Sequence, residues 1–62
     1  MRLSEALETF RDEPVQIYFS EAMEQVDGNG GFVAKVMNDA TLNKIVKDIS
    51  GSEYGYSIRV EG

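Results

Sequence analysis

Asp27-Gly28-Asn29-Gly30-Gly31-Phe32-Val33-Ala34-Lys35-Val36-Met37 is the stretch on which the fold turns. Its first five residues have the chemistry of a tight turn, because glycine accepts positive φ and Asp or Asn bonds its own backbone. The six that follow are rich in β-branched and aromatic side chains, which suit a pleated surface. Upstream, Val15, Ile17 and Phe19 alternate with Gln16 and Tyr18, and this period of two predicts a strand over 15–19. Residues 20–26 fit two readings. Phe19, Met23 and Val26 have helical spacing, so a short helix fits. A strand bulged near Ser20–Ala22 also fits, and the strong turn at 27–31 favours it. The expectation is a long hairpin whose second strand runs over 32–37.

Working outward, Leu3, Leu7 and Phe10 share one face of a helix over about 4–12. Ser4 can cap it, and Pro14 ends it. On the other side, Leu42, Ile45, Val46 and Ile49 stand at i, i+3, i+4, i+7. That stripe predicts a helix over about 40–49, capped by Asn38 or Asp39 and stopped by Gly51. Tyr54, Tyr56, Ile58 and Val60 then alternate with small or polar residues, so a final strand with one apolar face is expected. The predicted fold is α+β in the order α-β-β-α-β, a three-stranded antiparallel sheet with two helices on one face. Leu42, Ile45, Val46 and Ile49 are expected to pack on Ile58 and Val60.

The chain of 62 residues reads as a single domain, 1–62, since a core of this size leaves no room for a second. It has no cysteine and no histidine, which removes disulfides and the usual zinc ligands. No apolar run reaches the length of a membrane span, and the N-terminus has no apolar leader. A cytoplasmic location is expected.

The net charge of −5 is uneven. Residues 1–27 hold seven carboxylates against Arg2 and Arg11, which accounts for all of it, whereas residues 28–62 are neutral. Such a field repels phosphates, so neither nucleic acid nor membrane is expected as a direct partner. It attracts a basic protein surface.

Catalytic readings find little support. Asp27 to Gly31 fails as a calcium loop after two ligands, and it lacks the Lys-Ser/Thr pair of a phosphate loop. The acidic pairs Glu5/Glu8, Asp12/Glu13 and Glu21/Glu24 read as solvated faces. Ser50, Ser52 and Ser57 have no base in a recognisable motif. No enzyme, cofactor or metal is expected, and no motif can be matched residue by residue to a known family. The expected function is a small acidic protein-binding module, in its sharper form an inhibitor that mimics nucleic acid. Small phage and mobile-element inhibitors of similar composition dock in this way on nucleic-acid-binding proteins. The expected partner-binding residues are Glu5, Glu8, Asp12, Glu13, Tyr18, Glu21 and Glu24. Tyr18, expected on the open face of the sheet, serves as an anchor if it lies near these acids, the alternative being ordinary cross-strand packing. The alternative is an accessory domain acting as a homodimer or as a subunit of a larger assembly.

Overall fold

The computed structural model describes residues 1–20 and 24–61, with Glu24 described in its backbone alone. In chain order it has α1 (Leu3–Thr9), β1 (Pro14–Phe19), β2 (Glu24–Asn29), α2 (Gly30–Val36), α3 (Asp39–Leu42), β3 (Val46–Ser52) and β4 (Gly55–Val60). The sheet order is β2-β1-β4-β3. Two antiparallel hairpins, β1–β2 and β3–β4, meet through a parallel pairing of β1 with β4. The α+β class is as expected. The sheet, however, is four-stranded and mixed rather than three-stranded and antiparallel, and the described residues form three helices rather than two.

The helix α1 begins two residues earlier than a Ser4 cap would allow and ends at Thr9 rather than near 12, well before Pro14. Arg2 is its N-cap, and the Arg2 backbone N–H donates to Glu5 Oε1 at 2.8 Å. Leu3, Ala6 and Leu7 are buried, with Phe10 packed beside them. Their partners are Val15, Ile17 and Phe19 of β1, Val33 of α2, and Ile58 and Val60 of β4. The register explains the match. Ile17 lies beside Ile58 and Phe19 beside Val60, so both central strands turn the same apolar row toward the helices. Each large aliphatic side chain so buried contributes on the order of 1.5–3 kcal/mol.

The long hairpin over 15–37 is corrected. Strand β2 is 24–29, and residues 30–36 are helix. Gly28, read as part of a turn, sits in β2 at φ +149°, and a side chain there would press on Phe32 Cδ2 at 3.0 Å and Val33 Cγ2 at 3.3 Å. The expected bulge near Ser20–Ala22 falls mostly outside the described residues. Gly30, Val33, Ala34 and Met37 face inward, which is i, i+3, i+4, i+7. Burying that stripe overrides the strand preference of the β-branched residues.

The helix over 40–49 is also corrected. Only 39–42 is helical, capped by Asn38 Oδ1, which accepts from the Thr41 N–H at 2.8 Å. Val46 and Ile49 belong to β3, and the register shifts between Val46 and Asp48. The irregularity adds one residue, so positions three apart reach the same face. Gly51 ends no helix; it lies opposite Tyr56 within β3. Ile45 is 45% exposed and is not part of the core. It bridges Arg2, while the Leu3 N–H donates to the Lys44 carbonyl and the Val46 N–H to the Met1 carbonyl. The chain start therefore lines the beginning of β3. No helix among the described residues is long and apolar enough to cross a membrane.

Candidate partner-binding surfaces

Helices cover one face of the sheet, and among the described residues nothing covers the other. Gln16 and Tyr18 of β1, Gln25 and Asp27 of β2, Asp48 and Ser50 of β3, and Ser57 and Arg59 of β4 share the open face by register. Tyr18 is there, half-buried, as expected. Its hydroxyl donates to Gln16 Oε1 at 2.9 Å. Arg59, beside Tyr18 in the register, donates to Asp48 Oδ2 at 3.0 Å. Gln25 Nε2 donates to Asp27 Oδ1 at 2.9 Å.

Of the seven residues expected to bind a partner, Glu5 and Glu8 do not share a face with Tyr18. Glu5 and Glu8 are exposed on α1, on the covered side of the sheet, whereas Tyr18 is on the open side. Glu5 is engaged with the Arg2 N–H, and Glu8 with Arg11 at 3.7 Å. Glu24 lies opposite Phe19 in the backbone register of β2. Glu21 lies outside the described residues. Asp12 and Glu13 are exposed in the connection from α1 to β1.

That connection belongs to a structured end of the molecule. The Gly30 N–H donates to the Glu13 carbonyl at 3.1 Å, and the Gly31 N–H to the Arg11 carbonyl at 3.0 Å. Together they fasten the start of α2 beneath the loop. Because β4 runs parallel to β1, the β3–β4 turn reaches the same end. Gly55 there has φ +119°, and a Cβ on it would collide with Pro14. The turn is held by Ser52 Oγ, which accepts from the Tyr54 N–H and donates to the Gly55 carbonyl, each at 3.2 Å. Glu53 is exposed, and Tyr54 is 78% exposed. Asp12, Glu13, Glu53 and Tyr54 thus crown one end of the sheet. The sequence reading does not single out Glu53 and Tyr54 as partner-binding residues. Tyr54 fits the alternation of β4, but it falls just outside the strand, and the signal was the turn composition of Ser52-Glu53-Tyr54-Gly55.

Among the described residues no polar or charged side chain is buried, and no group of three or more acidic residues is placed to hold a metal ion. Exposed carboxylates of this kind act through long-range attraction and at the rim of an interface. Against protein-family models, curated proteins and solved structures, the chain finds no match. The functional reading therefore rests on the surface itself.

Proposed function

We propose that this protein is a small acidic binding module that docks on a basic surface of a partner protein. The observation that carries this reading is that the exposed Asp12 and Glu13 of one connection and the exposed Glu53 and Tyr54 of another share one end of the sheet, where Gly55 lies against Pro14. The acids raise the rate of encounter with a basic partner. Tyr54 offers contact area that costs little side-chain entropy to fix. If the partner's basic surface is a groove for phosphates, occupying it makes the protein an inhibitor.

The test is affinity capture from the native host, with the parent and with a variant carrying Asp12→Lys, Glu13→Lys and Glu53→Lys. The expected partner is retained by the parent, elutes as salt rises, is lost with the variant and is displaced by competing nucleic acid. Equal retention by the two forms at low salt overturns the reading.

A further inference from the structure

Strand β2 is an outer strand of the sheet. The Gly30 N–H bonds the Glu13 carbonyl in continuation of the β1–β2 register. In an antiparallel pair, bonded positions recur at every second residue. Gly28 and Val26 are therefore bonded to β1, and the backbone groups of Gln25 and Asp27 point away from the sheet. Among the described residues nothing meets them.

An apolar shelf borders this edge. The Phe32 ring lies over Gly28 of β2, yet Phe32 is 60% exposed. Val36, one helical turn on, is 59% exposed. On the opposite face of the same edge stand Gln25 and Asp27, both exposed. A strand laid against β2 would place alternate side chains beside Asp27 on the open face and beside Phe32 on the helical face.

We propose that this edge takes up an extended segment of a partner chain as a fifth strand, and that the segment alternates basic and apolar side chains. The charge selects the occupant. Among the described side chains strand β2 carries Asp27 and no base, within a chain of net charge −5. A second copy would meet like charges along the edge, whereas a basic segment meets opposite ones. The inference rests on the reading that the partner is basic, and it adds where and in what conformation that partner binds.

The probe is a synthetic peptide of alternating Lys and Val, titrated into the full chain at low salt. Its controls are a peptide of the same composition in blocks and an alternating Glu-Val peptide. The alternating Lys-Val peptide is expected to bind at least tenfold more tightly than either control. Gln25→Pro removes an outward N–H without breaking a bond to β1 and should weaken binding about tenfold. Phe32→Ala should weaken it severalfold. In the unmutated protein, the peptide should slow amide hydrogen exchange at Gln25 and Asp27 and leave Val26 and Gly28 unchanged. No binding, equal binding of the block peptide, unaltered exchange at Gln25 and Asp27, or closure of the edge by a second copy in sedimentation each overturns the strand addition. If both basic peptides bind equally and the Asp12, Glu13 and Glu53 charge reversals abolish both, the basic-partner reading stands without it. If Gln25→Pro abolishes binding and those reversals do not, the edge is the site and the acidic end is not.

Discussion

Phe10 and Tyr56 stack with ring centroids 4.2 Å apart and 24° between their planes. The contact joins the C-cap of α1 to the start of strand β4, two segments far apart in the chain. Stacked aromatic pairs add about 0.5–1.5 kcal/mol beyond the area they bury. A double-mutant cycle with Phe10→Leu and Tyr56→Leu, read by urea melts, should return a coupling in that range. A sum of single effects that reproduces the double mutant to within about 0.3 kcal/mol denies the stack any energetic role.

Gly30 and Gly31 are adjacent and should respond differently to alanine. A Cβ at Gly30 would lie 2.5 Å from the Phe10 carbonyl oxygen and 2.7 Å from that of Leu7. Both are backbone atoms and cannot swing aside. Gly30→Ala should destabilise by roughly 1–3 kcal/mol, the cost of overpacking. At Gly31 the nearest atom is Arg11 Cγ at 3.0 Å, on a flexible side chain. Gly31→Ala gains up to about 1 kcal/mol of helix propensity, which should offset that contact. Thermal melts that rank the two variants in the reverse order contradict the packing of α2 beneath the 10–13 loop.

Ile45 and Ile58 separate the periphery from the core. Ile58 is fully buried, whereas Ile45 is 45% exposed at the junction with Arg2. Ile58→Ala should cost about 2–5 kcal/mol. Ile45→Ala should cost about 1 kcal/mol or less, because much of its surface stays in water in either state. Chemical denaturation of the two variants side by side decides this.

Tyr54→Ser should leave stability within about 0.5 kcal/mol of the parent, as surface changes do. Partner dissociation should nevertheless accelerate, because an exposed aromatic anchor acts mainly on the off-rate. The Asp12→Lys, Glu13→Lys and Glu53→Lys variant should instead slow association at low salt. Surface plasmon resonance with the captured partner separates the two effects. A variant pair that alters neither rate removes this end of the molecule from the interface.

The parts of the fold legible in sequence are those in which one period governs one element. Val15, Ile17 and Phe19 alternate within β1, Ile58 and Val60 within β4, and Leu3, Leu7 and Phe10 recur helically through α1. Reading failed where local preference and burial diverge. Phe32 and Val36 are good strand residues, but they face water, and the helical stripe that decides α2 begins at a glycine. Val46 and Ile49 keep helical spacing inside a strand because a bulge intervenes. Asp12 and Glu13 could be flagged from charge alone. That they share an end of the sheet with Glu53 and Tyr54 could not, because it depends on the parallel alignment of β1 and β4, which no local pattern encodes.

That alignment also sets a schedule for folding. β4 lies between β1 and β3, so the inner edge of β1 stays open until residues 55–60 arrive. Val15, Ile17 and Phe19 therefore complete their packing only once β4 has docked beside them. Contacts so distant in sequence slow folding, because a long loop must close before they form. The step that closes this sheet is thus the docking of its last strand in sequence, and neither hairpin alone can complete the core.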